Sequence, residues 1–176
     1  IRFKSFEFAL NEAKKRNHKT IVETGVARGK IKFLFFPKIN WLDGMSTVIF
    51  SDYARYINGE LYSCDISAKN IKNAKKFSKF NKDFITFVTD DSLNFLSEFN
   101  KDIDFLYLDS LDGQFEGASS HQLNEIKIAI KKLHTGSLVL LDDKGAKTNL
   151  SIDYMLKNNF EIINETKEQV LLSYGV

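Results

Sequence analysis

The stretch TIVETGVARG (20–29) decides the reading of this chain: a short apolar run closed by a carboxylate, Glu23, then a turn carrying Gly25 and Gly29. The same ending recurs at Asp65 in LYSCD (61–65), Asp109 in IDFLYLD (103–109) and Asp142-Asp143 in SLVLLDD (137–143). Apolar runs of strand length, separated by helix-period segments, read as strands of a parallel sheet buried on both faces. Open sheets of that kind bind ligands in the crevice outside the carboxyl ends of their strands. Acidic side chains from four strands are therefore predicted along one edge. Such an edge suits a ligand with hydroxyls and positive charge, or a metal ion, better than a bare phosphate.

Working outward, residues 1–19 form a lead-in whose helix (3–16) sets Phe3, Phe6, Ala9 or Leu10, and Ala13 at helical spacing. After the strand at 20–25 comes an insert, KIKFLFFPKINWL (30–42), then a helix over 44–57 with Met45, Val48, Ile49, Tyr53 and Ile57 on one face. The strand at 61–65 leads to a helix over 68–80, with Ile71, Ala74 and Phe77 inward, and the strand at 84–88 to a short helix from Ser92. After the strand at 103–109, Leu123, Ile126, Ile130 and Leu133 mark a helix that ends before Gly136, a helix-stop residue. A strand at 137–142 and a helix at 150–157 follow. FEIIN (160–164) and QVLLSY (169–174) are too close for a parallel crossover, so they form an antiparallel hairpin. No linker, repeat or low-complexity segment divides 1–176, which reads as one α/β domain.

With 27% charged and 43% hydrophobic residues the chain is globular rather than disordered. A formal net charge of +2 gives no broad electrostatic footprint for nucleic acid. The apolar run at Phe33–Phe36 stops at Pro37, too short to span a membrane. One cysteine, Cys64, excludes an internal disulfide and a cysteine-based zinc site, and suggests a reducing, cytoplasmic setting. The first residue is Ile1 rather than Met, which leaves an upstream segment open.

This order of elements and acidic strand ends resembles the class I S-adenosylmethionine-dependent methyltransferases. The resemblance implies a Rossmann-like, seven-stranded, mostly parallel sheet with the last strand antiparallel and helices on both faces. ETGVARG (23–29) is similar to the family's first motif. On that likeness Glu23 helps hold the methionine amino group, and Gly25 and Gly29 let the backbone approach the cofactor because glycine has no side chain in the way. Ser46, Asp65, Asp91, Ser92 and Asp109 are the other implied cofactor contacts, with Asp65 on the ribose hydroxyls and Asp91-Ser92 beside the adenine. Asp90 stands where the family often has glycine, so either aspartate is a candidate to face the cofactor. The rival nicotinamide fold would want Gly-x-Gly-x-x-Gly directly before the first helix, and this chain does not have it.

Asp109 and Asp142-Asp143 end neighbouring strands, about 4.8 Å apart, so their carboxylates converge and repel. A divalent cation such as Mg²⁺, held by Asp109, Asp142 and Asp143, resolves that conflict. The pattern is similar to metal-dependent O-methyltransferases of the catechol and antibiotic-sugar types. The alternative is that Asp109 touches substrate or cofactor directly while Asp142 or Asp143 caps the next turn. Three residues compete as the general base: Asp112, where the catechol type has a lysine; His121, whose intrinsic pKa suits the task; and Lys144.

The aromatic insert (30–42) is a candidate lid, or equally a segment packed on the body or a second subunit. The lysines from Lys69 to Lys82 read as a solvated helix face. The sequence therefore predicts transfer of a methyl group to a hydroxyl of a small molecule, with a divalent metal and no nucleic-acid or membrane partner; a homodimer is open. The alternatives are a metal-independent N- or O-methyltransferase and a non-catalytic cofactor-binding relative.

Overall fold

A computed structural model of the protein describes residues 2–28 and 45–175 in full and the backbone of 30–33 and 36–39. A lead-in helix α1 (Arg2–Lys15) precedes β1 (Thr20–Thr24). Strands β2 (Lys30–Phe33) and β3 (Phe36–Ile39) make a separate antiparallel hairpin. Next come α2 (Ser46–Ile57), β4 (Glu60–Cys64), α3 (Ala68–Phe77), β5 (Ile85–Val88), α4 (Ser92–Glu98) and β6 (Ile103–Leu108). The chain closes with α5 (Ala118–Ala129), β7 (Leu133–Leu141), α6 (Asn149–Leu156), β8 (Phe160–Glu165) and β9 (Val170–Tyr174).

The main sheet has seven strands in the order β5-β4-β1-β6-β7-β9-β8. Every pairing from β5 to β7 is parallel, and β9 runs antiparallel between β7 and β8. This is the Rossmann-like sheet that the family resemblance implies. From β1 the chain builds outward through β4 and β5, then returns to the other side of β1 as β6. The crevice of an open α/β sheet lies at such a reversal of strand order. Register brings the acidic residues level: the Asp109 amide donates to the Thr24 carbonyl at 2.9 Å, and the Asp142 amide to the Leu108 carbonyl at 3.3 Å.

The period of two along the strands supplies both cores. Phe105 and Tyr107 of β6, with Ile21, Leu138, Leu140 and Leu171, pack against Phe6, Ala9 and Ala13 of α1 and Phe50, Tyr53 and Ala54 of α2. Leu106 and Leu108, with Val22, Val139, Leu141, Val170 and Leu172, meet Phe95 and Leu96 of α4, Ile126 and Ala129 of α5, and Met155 of α6. Smaller contacts of Ile71 and Ala74 with Val26 seat α3.

Several expectations change. Phe3 is 68% exposed, so α1 docks through Phe6, Ala9 and Ala13. The buried face of α5 carries Gln122, Glu125, Ile126 and Ala129, not Leu123. The helix ends at Ala129 in a single 3-10 turn, and Leu133 already begins β7. Gly136 therefore stops no helix. It lies inside β7 at φ +93°, where Leu133 faces Ile103 but Leu138 faces Phe105, an irregularity that left-handed glycine backbone accommodates. The candidate lid at 30–42 rests on side chains outside the described residues, and Gly29 lies outside them too. Among the described residues no helix is long and apolar enough to cross a membrane.

Candidate active site

Three adjoining cavities follow the carboxyl edge of the sheet. Gly25, Asp65, Ile66, Ser110 and Leu111 line both the first and the second. Arg28, Asp109 and Asp112 line both the second and the third. The result is one continuous cleft from the β4–β5 side to the β6–β7 side.

At the first end stand Asp65, Asp90, Asp91, Ser92 and His121. The Asp65 carboxylate accepts from the backbone amides of Val26 (3.2 Å) and Ser67 (2.7 Å) and from the Asn70 amide (3.2 Å). Asp91 caps α4 by accepting from the Leu93 and Asn94 amides, so its side chain is tied to the helix it starts. The Asp90 carboxylate accepts from the Asp91 amide at 2.7 Å. His121 opens α5 with Nε2 2.9 Å from Ser92 Oγ, so two residues 29 apart in sequence form one wall. The exposed Ile66 and the adjacent Leu111 add apolar surface there, a contribution sequence reasoning missed.

In the middle, Gly25 has φ +83°, and a Cβ there would lie 2.1 Å from the Asp109 carbonyl oxygen. Only glycine permits β1 and β6 to end this close together. Glu23 is fully buried, below the cleft surface. It accepts hydrogen bonds from Ser46 (2.5 Å), Ser63 (2.7 Å) and Thr47 (2.8 Å). Thr47 in turn accepts from the Ala27 amide at 2.9 Å. Burial pushes the Glu23 carboxyl up to about 7, against the pull of the three hydroxyls. Glu23 thus fastens the start of α2 to β1, and Ser46 is the group of this set that reaches the cleft.

At the far end the three expected metal ligands do converge, but with cations among them. Lys147 Nζ donates to Asp109 Oδ1 and to the Leu111 carbonyl, both at 2.9 Å, and lies 3.4 Å from Asp143 Oδ2. Its side chain is 2% exposed. Burial opposes the Lys147 charge, yet Asp109 and Asp143 raise its pKa above the ordinary value. Arg2 Nε contacts both oxygens of Asp142 at 2.9 Å, and Arg2 Nη2 reaches Asp143 Oδ1 at 3.2 Å. Tyr107 donates to Asp142 Oδ2 at 2.9 Å, and the Gly113 amide to Asp143 Oδ2 at 3.1 Å. Burial, then the Asp142 charge, push Asp109 well above the ordinary carboxylate range, with Lys147 opposing.

A divalent cation needs several carboxylate or carbonyl oxygens with free lone pairs around one point. Among the described residues, only Asp109 Oδ2 of these three carboxylates lacks a donor closer than 3.5 Å. The donor set does not fit the metal expected of Asp109, Asp142 and Asp143. Among the described residues no group of three or more His, Cys, Asp or Glu is arranged to hold one. Sequence reasoning missed Lys147 and Arg2. Lys147 carried a faint signal, four residues after Asp143 in a turn; Arg2, 140 residues from Asp142, carried none.

The candidate bases lie far apart in role. His121 is at the β4–β5 end of the cleft. Lys144 pairs with Glu165 at 2.5 Å. Asp112 lines the far cavity, where hydrogen bonds from Arg28 (2.8 and 3.0 Å) hold its pKa below the ordinary range.

A mostly parallel sheet with one antiparallel strand and carboxylates at its switch point is the arrangement implied by the resemblance to class I methyltransferases. Residues 41–144 match the family model described as a methyltransferase domain, and the chain belongs to that family. No curated protein sequence matches significantly. Among solved structures, a Podospora anserina methyltransferase with bound S-adenosylhomocysteine superposes with a TM-score of 0.70 at 13% identity, over 98% of this chain and 78% of its own. A Bacillus cereus O-methyltransferase complexed with S-adenosylhomocysteine gives 0.68 at 12% identity, over 98% and 81%. An rRNA methylase from Streptococcus thermophilus gives 0.64 at 12% identity, over 95% and 94%. At these identities the likeness is one of fold.

Proposed function

We propose that this protein transfers a methyl group from S-adenosylmethionine to a hydroxyl of a small polar molecule. One observation carries the reading: Asp109 stands on the wall shared by the cofactor part of the cleft and the far cavity. When bound, S-adenosylmethionine supplies an electrophilic methyl group on a positively charged sulfur. The chain's own residues fit that ligand. Asp65 is a carboxylate in reach of ribose hydroxyls, Ile66 and Leu111 offer apolar surface for a flat base, and Gly25 keeps the floor clear of a side chain. Ser46 and the acid-rich centre suit the amino group and the positive sulfur.

The far cavity, about 290 Å³, holds Arg28, Asp112, Gln114 and Arg2 beside Asp109. Polar walls of both charges suit an acceptor rich in hydroxyls, such as a sugar, better than a flat apolar ring. The acceptor hydroxyl would donate to Asp109 Oδ2, the carboxylate oxygen left open by Lys147 and Arg2. Asp109 would take the proton of that hydroxyl, and bound S-adenosylmethionine would supply the methyl carbon, its sulfur keeping the electron pair of the carbon–sulfur bond. Holding the two partners on either side of Asp109 supplies most of the catalysis. No metal step is part of this mechanism, because the carboxylates that would hold the ion are already paired.

Calorimetric titration of S-adenosylhomocysteine into wild type and Asp65→Ala tests the cofactor half. Micromolar binding, weakened about tenfold or more by loss of the charged acceptor, is expected. No binding to the wild type would sink the reading. A screen of polyhydroxyl and phenolic acceptors then tests the substrate half by product mass.

A further inference from the structure

The acidic cluster at the ends of β6 and β7 poses a physical problem: Asp142 is 1% exposed, and Asp109 and Asp143 stand beside it. Carboxylates this close must share a proton or be balanced by positive charge among them. In this chain the charge is covalent. The Lys147 ammonium has three N–H bonds and faces three oxygens: Asp109 Oδ1, the Leu111 carbonyl and Asp143 Oδ2. An ammonium can make three donations, so its capacity matches this set of acceptors. Arg2 meets Asp142 through both carboxylate oxygens. Two carboxylates and a carbonyl around one cation also make the hard-oxygen ligand type that binds Mg²⁺ or Mn²⁺. Lys147 therefore occupies the volume such an ion would need.

We infer that Lys147 is a built-in substitute for a divalent cation: with Arg2 it balances the carboxylate cluster and positions Asp109, so the methyl transfer proposed above is independent of metal. The inference rests on that proposed reaction for its catalytic part, whereas the cation substitution stands on the cluster itself. Lys147 is buried and does not line the cleft, so it is a positioning residue that acts through Asp109. The inference has a reciprocal consequence. Removing the ammonium leaves three oxygens around an empty space, and the protein should then gain affinity for a divalent ion.

The test is titration of Mn²⁺, followed by the paramagnetic signal of the free ion, into wild type, Lys147→Ala and Lys147→Arg. Titration of S-adenosylhomocysteine into the same samples runs beside it. Wild type and Lys147→Arg are expected to bind Mn²⁺ only weakly, with Lys147→Ala tighter by about tenfold or more, since a buried positive charge no longer repels the ion. Methyl transfer by wild type, once an acceptor is found, should be unchanged by EDTA. Micromolar Mn²⁺ binding by wild type would overturn the inference, as would a folded Lys147→Ala with no gain in Mn²⁺ affinity. If Lys147→Ala does not fold, the wild-type Mn²⁺ titration alone decides the question. Failure of wild type to bind S-adenosylhomocysteine would instead refute the proposed reaction and leave the Mn²⁺ result to judge the cation substitution separately.

Discussion

Replacing Glu23 by Gln should change how stability depends on pH, and the size of the change follows from where Glu23 sits. The carboxyl is fully buried and ionises at about 7 in the folded protein, against an ordinary 4.5, because burial penalises the charge more than the hydroxyls of Ser46, Ser63 and Thr47 favour it. Between those two values the folded protein holds a proton that the unfolded chain has released. Stability from this group is therefore complete below about 4.5, declines as pH rises and is gone above about 7. At 1.36 kcal/mol per pH unit the difference is roughly 3 kcal/mol. Gln cannot ionise, so Glu23→Gln lacks this slope while titrations elsewhere are common to both proteins. Urea unfolding of both at about pH 4.5, 6 and 8 gives the difference in unfolding free energy directly. From the lowest to the highest pH, wild type should lose roughly 3 kcal/mol relative to the variant. Parallel stability curves, agreeing within about 0.5 kcal/mol, would refute the reasoning. They would mean that the three hydroxyls hold Glu23 ionised in spite of its burial.

Other substitutions probe the remaining joints of the site. Gly25→Ala puts a Cβ 2.1 Å from the Asp109 carbonyl oxygen at a φ of +83°, so β1 and β6 must separate at the cleft. Loss of measurable S-adenosylhomocysteine binding is expected, with destabilisation of about 1–3 kcal/mol in urea unfolding. Arg2→Ala leaves the buried Asp142 with Tyr107 as its partner and should cost about 2–3 kcal/mol, at or just below the lower end of the range for breaking a buried pair, because Arg2 is itself partly exposed. Thermal unfolding checks this, and a loss below about 0.5 kcal/mol would mean that the Arg2 pair contributes little.

The strand ends were legible because two independent local signals coincide there. An apolar run of five or six residues specifies a strand, and a carboxylate just after it has to sit at the sheet edge, since burial within the run would be costly. Asp65, Asp109 and Asp142 follow their strands as this requires, whereas Glu23 lies within β1 and is fully buried. The burial of β6 on both faces was equally legible from its continuous apolar run, and the structure puts Phe105 and Tyr107 on one face and Leu106 and Leu108 on the other. Gly136 misled because glycine serves a helix stop and an irregular strand equally well, and only the β6 register distinguishes them. The face of α5 misled because its buried positions include Gln122 and Glu125, polar groups that hydrophobic periodicity counts as exposed. Lys147 escaped for the same reason: a lysine after a strand reads as surface, and its burial becomes sensible only beside carboxylates from two strands.

Arg2 makes the lead-in helix part of the site. The ring of Phe6, on the buried face of α1, lies 5.4 Å from Phe50 and 5.5 Å from Tyr107. The Tyr107 hydroxyl donates to Asp142, which Arg2 of the same helix holds from the other side. Ser5 of α1 bonds Gln169, whose amide reaches the Tyr107 oxygen at 3.4 Å. Undocking α1 would therefore do two things at once. It would expose Phe6, and it would take from Asp142 its directly paired cation, Arg2, a loss of about 2–3 kcal/mol. Where a metal ion holds the carboxylates, that cost falls on ion binding, and a peripheral helix is free to move. In this chain part of it falls on the docking of α1, because Arg2 holds Asp142 and Asp143 only while the helix is seated, whereas Lys147 holds Asp109 independently of it. The apolar contact of Phe6 and the charge of Arg2 thus act on one equilibrium, and substitutions at either residue should change stability and the cavity beside Asp109 together.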